Sequence, residues 1–420
     1  MIEAPRALLT TLFQAAVAAA DPYDAIRRHL PARPKGRTVL VAAGKAASQM
    51  AAAFERAWDG PLSGLAVARH GPVAACRQTR ILQAAHPVPD RSGLLAAAAL
   101  MNHVQGLTED DLVVALISGG GSALLPAPPI GFTLADEIAL NKALLASGAP
   151  ISAMNRVRKH FSRIKGGRLA ALAAPARVVT LVVSDVPGDN PAFVASGPTV
   201  PDETTARDAL DVIEAYRLPL SAAVIEAIRM AEAPKPNDAA FARNRVEVIA
   251  SARVSLSAAA HAARRAGVTP LILSDAIEGE AREVGRVHAA LAREFAEQGT
   301  GPAQPAVLLS GGETTVTLGS DGEGRGGRNA EFLLAAAIDL DRVERIVALA
   351  ADTDGIDGSE TNAGAFCDGG TAGRIRAAGG DPSALLSRHD AWSAFSLSQD
   401  LFVSGPTGTN VNDFRAFLIG

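Results

Sequence analysis

One pattern recurs along this chain and limits what it can fold into: a run of apolar residues closed by a short loop of glycine, serine or aspartate. Thr38–Ala43 (TVLVAA) runs into Gly44-Lys45, Leu112–Ile117 (LVVALI) into Ser118–Ser122 (SGGGS), and Val178–Val183 (VVTLVV) into Ser184-Asp185. Val246–Ala250, Pro270–Leu273, Val307–Leu309 and Ile346–Ala350 repeat it in the second half. Unbroken Val/Leu/Ile runs, as opposed to alternating ones, indicate strands covered on both faces, hence mostly parallel α/β sheets with flanking helices. In such sheets ligands bind where loops leave the carboxyl ends of the strands, where this chain's polar and glycine-rich clusters fall.

A length of 420 residues allows two or three domains. Ala231–Asp238 (AEAPKPND), with two prolines after a helical stretch, is the best linker, giving domains 1–235 and 240–420. The 40 basic and 44 acidic residues nearly cancel, which excludes a polyelectrolyte footprint for nucleic acid or an anionic membrane. Cys76 and Cys367 are the only cysteines and have no metal-ligand spacing, which fits a reduced, cytoplasmic compartment. The Ala-rich stretch 4–20, broken by Arg6 and Gln14, reads as an amphipathic helix, not a signal peptide. No apolar run reaches membrane-spanning length.

The densest loop is Gly324–Glu331 (GRGGRNAE), which sets Arg325 and Arg328 in a glycine-rich approach to an Ala/Leu-rich helix. Glycines admit a ligand close to the backbone, a helix N-terminus favours an anion, and arginine forks match carboxylate or phosphate oxygens. Gly44-Lys45 is not a P-loop, because Val39 stands where its first glycine belongs. A lysine opening a helix opposes the dipole, so a ligand phosphate is its expected partner. The glycines of SGGGS can form an anion-binding concavity, and no GxGxxG dinucleotide fingerprint is present. Asn155–Arg168 (NRVRKHFSRIKGGR) reads as a helix with a solvated basic face, stopped by Gly166-Gly167. Ser184–Asn190 (SDVPGDN) brings two carboxylates to a strand end, suited to a metal or a general base. Ser310–Glu313 (SGGE) echoes the earlier serine-glycine loop. Ala351–Gly358 (ADTDGIDG) fails the EF-hand pattern, since Asp357 occupies the place of the required glycine. His70 and His86 sit in turn-like contexts with no partner at ligand spacing, a structural or rim role.

In chain order GKAAS, ISGGGSALL, VRKHFSRIKGGRLA, VSDVPGD, SGPTVPD, LSGGETTV, GGRNAEF and DTDGIDG resemble the glycerate 2-kinases over nearly the whole length. The resemblance implies a Rossmann-like N-terminal glycerate kinase domain, a C-terminal α/β MOFRL domain and an active site in the cleft between them. It implies transfer of phosphate from ATP, with Mg²⁺, to the 2-hydroxyl of D-glycerate. Lys45, Asp189, Arg328 and Asp354 match family catalytic positions. Ser118, Gly119, Gly120, Gly121, Ser122, Gly311, Gly312 and Glu313 would contact nucleotide phosphates; Lys45, Arg328 and Asn329 would contact substrate; Asp189 and Asp354 would meet the metal. Asp352 stands where relatives often carry glycine, which favours Asp354. A homodimer is compatible with this reading. The rival readings are an NAD(P)H-dependent hydroxypyruvate reductase and a non-catalytic carboxylate-binding protein.

Overall fold

The computed structural model describes residues 4–298, 301–318 and 324–420. It divides into two compact units, Pro22–Ile249 and a discontinuous one made of Met1–Asp21 with Ala250–Gly420.

The Pro22–Ile249 unit is built on β1 (Thr38–Ala43), β2 (Ser63–Arg69), β3 (Thr79–Ala84), β4 (Leu112–Ser118), β5 (Arg177–Val183) and β6 (Arg245–Ala250). Their order is β3-β2-β1-β4-β5-β6, and the pairs β1·β2, β1·β4, β2·β3 and β4·β5 are parallel. This doubly wound order reverses direction between β1 and β4, the place where such sheets open a crevice for ligands. Every residue of β1 and β4 is buried, as expected for strands covered on both faces. Helices Leu134–Ala146, Ile151–His160, Ala206–Ala215 and Ala222–Arg229 pack a separate core around Leu140, Val157, Phe161, Val212 and Ile228.

The other unit holds β7 (Thr269–Glu280), β8 (Ala306–Thr315), β9 (Ile346–Asp352), β10 (Gly364–Asp368), β11 (Leu401–Phe402) and β12 (Asp413–Ile419), ordered β11-β10-β9-β12-β8-β7. Only β7·β8 is parallel; β12 inserts antiparallel between β8 and β9, and β10 pairs antiparallel with β9 and β11. This sheet is thus mixed, not mostly parallel. Burial on both faces makes strands apolar throughout, whichever way their neighbours run.

The expected boundary at 235–240 moves at both ends of the chain. β6 lies beyond the linker yet completes the first sheet. The helix Pro5–Ala19 belongs with the C-terminal part: its stripe Leu9, Leu12, Phe13, Ala16 packs against Leu256, Ala259, Ala260 and Phe414. The Phe13 ring meets Phe402 and Phe414 edge-on at 5.1 and 5.8 Å, and Arg6 donates to Asp400 (2.6 Å) and Asp368 (3.0 Å). An amphipathic stripe needs an apolar partner, and only the tertiary fold decides which. No helix among the described residues is long and apolar enough to cross a membrane.

Candidate active site

In the Pro22–Ile249 unit the loops after β1, β3, β4 and β5 converge. Gly44 takes φ +129°, and a side chain there would strike Ser118. Glycine therefore lets the two strand ends approach until Lys45 N donates to Gly119 O (2.8 Å) and Ala46 N to Ser118 Oγ (3.1 Å). Gly120, at φ +79°, is packed so closely that a Cβ would lie 2.9 Å from Lys45 Cγ and 3.1 Å from His86 Nε2. Lys45 is exposed and half-buried His86 stands beside it. Burial, then the charges of Lys45 and Arg69, lower the His86 pKa, which keeps its ring neutral near pH 7. His86 thus lines the glycine loop instead of a rim; its place after β3 was the signal, obscured by its turn-like HPVPD context.

Gly119 lies against the Asp185 carboxylate, so close that a Cβ would collide with it. Asp189, at φ +54°, is half-buried, and no hydrogen bond or ion pair to its side chain is found among the described residues. Ser122 reaches Ser196, whose hydroxyl meets buried Asn155. The basic stretch around these residues differs from its expected solvated face. Its helix ends at His160, and Lys159 and Lys165 are buried against Asp202 and Glu137. A buried ammonium needs such a partner, since desolvation otherwise outweighs its packing.

In the other unit the helix Arg328–Asp339 follows the Gly324–Gly327 approach. Its N-terminus, expected to hold a ligand anion, is capped by the chain itself: Asp357 accepts from the amides of Asn329 (2.9 Å) and Ala330 (2.8 Å). Gly327 allows this, since a side chain there would run into Asp357. Asn329 is fully buried and donates to Asp413 (2.8 Å) and Asp357 (3.4 Å), a scaffold position in place of the expected substrate contact. Arg328 spreads its fork over three carboxylates: Nε to Asp413 (2.7 Å), Nη2 to Asp352 (2.7 Å) and Nη1 to Glu313 (3.3 Å). Asp413 is shared with Arg415, a fully buried guanidinium whose charge also faces the Phe332 ring at 5.0 Å.

These charges titrate unequally. Burial alone would raise the Asp413 pKa, but Arg415 and Arg328 hold it below the usual carboxylate range. Burial pushes Asp352 up to about 8; Arg328 pulls it back while Asp354 and Asp413 add repulsion. Burial also lifts Asp357 to about 6, against the two amides it accepts. Burial works against the Arg328 charge, yet Asp413 and Asp352 raise its pKa above normal. Asp354 accepts from Ile356 N (2.8 Å) and Asn410 Nδ2 (3.3 Å), so both its oxygens serve the loop. Gly311 and Gly312 sit buried inside β8, paired with Phe414 and Asp413, and not in an open phosphate loop. A side chain on Gly312, at φ +125°, would strike Ile277 of β7, so this glycine serves strand packing. Of the SGGE group, Glu313 alone is exposed. Arg325 is occupied by Glu360 (2.8 and 3.0 Å) and the Trp392 ring (3.6 Å). A cavity of about 510 Å³ adjoins Arg328, lined among others by Glu313, Gly326, Asp352, Asp357 and His389. Asp413 and Arg415, at the head of β12, were missed from sequence; only strand pairing brings them beneath Arg328.

Among the described residues no group of three or more His, Cys, Asp or Glu side chains is arranged to hold a metal ion. In the Asp352–Asp413 cluster, arginine and amide donors already hold the carboxylates, which explains why these acids form no cage.

A doubly wound unit with a lysine and glycine loop at its switch point, and a second α/β unit with an arginine-carboxylate centre, define the architecture. A family model for a domain of unknown function, DUF4147, matches residues 8–229, and the MOFRL family model matches 306–413. The chain is 38% identical over 419 residues to a D-glycerate 2-kinase of Thermotoga maritima, covering 99% of each. It is 53% identical over 418 residues (99% of this chain, 94% of the relative) to an Agrobacterium vitis protein provisionally named hydroxypyruvate reductase. The crystal structure of a Thermotoga maritima glycerate kinase superposes with TM-score 0.90 at 37% identity, covering all of both chains. The chain belongs to the glycerate kinase family that joins DUF4147 and MOFRL domains.

Proposed function

We propose that this protein transfers the γ-phosphoryl group of ATP to the 2-hydroxyl of D-glycerate, giving 2-phosphoglycerate and ADP. The observation that carries the reading is Lys45, exposed at the β1–β4 switch point against the left-handed Gly120. Phosphoryl transfer asks mainly for positioning and charge neutralisation, which a lysine beside a glycine concavity supplies. Lys45 and the Gly119–Gly121 backbone hold phosphate oxygens. Asp189, with no described partner for its carboxylate, takes the proton of the attacking 2-hydroxyl as that oxygen bonds to phosphorus. The bond from phosphorus to the bridging oxygen breaks, and its electron pair leaves with ADP.

Arg328 receives the glycerate carboxylate through Nη1. Its Nε and Nη2 stay anchored at 2.7 Å by Asp413 and Asp352, whereas Nη1 has only half-exposed Glu313 at 3.3 Å. Asp354 holds its loop, and Asn329 holds Asp357 and Asp413 in register. Mg²⁺ commonly reaches kinase sites on the nucleotide phosphates with one or two protein carboxylates, where it neutralises phosphate charge. With Asp189 serving as the base, the ion would rest chiefly on the nucleotide phosphates.

Incubation with ATP, Mg²⁺ and D-glycerate should produce the ³¹P signal of 2-phosphoglycerate; no phosphorylated product removes the reading. The name borne by the Agrobacterium relative favours a second one, NAD(P)H-dependent reduction of hydroxypyruvate. The expected result is no loss of 340 nm absorbance with hydroxypyruvate, because the glycine loop lacks the dinucleotide fingerprint.

A further inference from the structure

The Ser122 hydroxyl ends a hydrogen-bond chain whose polarity is set from its buried end. Asn155 is 1% exposed; its Nδ2 donates to Phe193 O (3.3 Å), which leaves Oδ1 as the acceptor facing Ser196. An amide oxygen carries no proton, so the hydroxyl of fully buried Ser196 must donate to it, at 2.9 Å. Ser196 has then used its single proton. The 2.7 Å contact between Ser196 Oγ and Ser122 Oγ is therefore made by the Ser122 proton. Half-buried Ser122 is left with lone pairs only. The backbone locks this arrangement: Ala195, Ser196 and Gly197 all take left-handed φ (52°, 60° and 59°), and Gly166 and Gly167 donate to the carbonyls of Ser196 and Gly197.

An oxygen that can only accept repels phosphate oxygens and suits a hydroxyl donor. We infer that Ser122 is a specificity-determining residue that accepts a hydrogen bond from the 3-hydroxyl of glycerate, with Ser196 and Asn155 as positioning residues. This rests on the glycerate reading and removes Ser122 from the phosphate contacts. The 3-hydroxyl, not the 2-hydroxyl, is assigned because the chain ends at the Phe193 carbonyl. No member can carry a proton away, so Ser122 holds the hydroxyl that keeps its proton. A site built to bond a hydroxyl discriminates against the analogue that lacks it.

D-Lactate, which keeps the carboxylate and 2-hydroxyl but lacks the 3-hydroxyl, is the probe. Calorimetric titration of the whole chain should show D-glycerate binding roughly five- to tenfold tighter than D-lactate, the worth of one neutral hydrogen bond. In Ser122→Ala this ratio should fall toward one through weaker glycerate binding, with lactate affinity held within about twofold, the margin of a site losing no contact. Ser196→Ala releases the Ser122 proton, so the ratio should fall again while ATP binding is unchanged or tighter; a merely structural serine would weaken all three ligands. An unchanged ratio in Ser122→Ala, or equal weakening of glycerate and lactate, overturns the assignment. If the wild-type chain binds glycerate with this pattern but yields no phosphorylated product, the kinase reading falls and the Ser122 assignment stands. No binding of glycerate by the wild type removes both.

Discussion

The two glycine-rich loops most alike on paper, SGGGS after β4 and GRGGRNAE before the Arg328–Asp339 helix, end in opposite states. The first leaves Lys45 exposed against Gly120. In the second, Asp357 caps the helix, Arg328 is held by Asp413, Asp352 and Glu313, and Arg325 is tied to Glu360. Anion-binding chemistry can thus be spent inside the fold. An arginine fixed at two of its three nitrogens offers one donor at a defined angle, whereas a lysine on a flexible stem must be positioned by its ligand.

Arg328→Ala tests this contrast most severely. It should lose activity by about 10²–10³ in kcat and also stability, because Asp413 and Asp352 lose a shared cation. Breaking a buried pair costs roughly 3–5 kcal/mol, readable as a lower urea midpoint. Lys45→Ala should show a similar kcat loss, about 10²–10³, with an unchanged melting temperature; a stability loss there would erase the contrast.

Asp357→Ala should cost about 1–2 kcal/mol as a lost helix cap and lower kcat by freeing the turn that carries Arg328. Asp352→Asn should act through the pH dependence of stability. Asp352 is raised from 3.8 to about 8 on folding, so the wild type loses the stability of the protonated form as pH rises between those values. Relative to wild type, the asparagine variant should gain stability progressively from pH 4 to pH 8. Denaturant midpoints at four pH values read this directly, and a flat difference would show that Arg328 keeps Asp352 ionised. Glu313→Gln should do least, within about 1 kcal/mol of stability for an exposed pair. It should lower the KM for glycerate if Nη1 is the donor that the substrate takes.

Much of the first sheet was legible because buried parallel strands are continuous apolar runs: β1 was bounded to the residue, and β4 and β5 to within one. The half-buried β3 (TRILQA), the two-residue β11 and β12 (DFRAFLI) have no such signature, and β12 is the strand that carries Asp413. SGGE read as a loop because glycine usually marks one, whereas in β8 it admits a close neighbouring strand. Lys45, Arg328, Asp189 and Asp354 stood out in the sequence through local motif chemistry together with the family resemblance. His86, Asp357, Asp413 and Arg415 act through neighbours distant in the chain, which no spacing rule reports.

The sequence by itself determined the α/β class, the strand-end position of Lys45 and the first glycine loop, and membership of a recognisable family. These follow from local composition and short spacings, which survive in one dimension. Only the tertiary structure decided that residues 5–19 join the C-terminal unit, that the second sheet is mixed, and that Arg328 is anchored by Asp413 and Asp352. It alone set which way the Ser122 proton points. A buried charge or hydroxyl must find its partner through space: the two anchors of Arg328, Asp352 and Asp413, lie 24 and 85 residues away, and the partner of Ser122 lies 74 away.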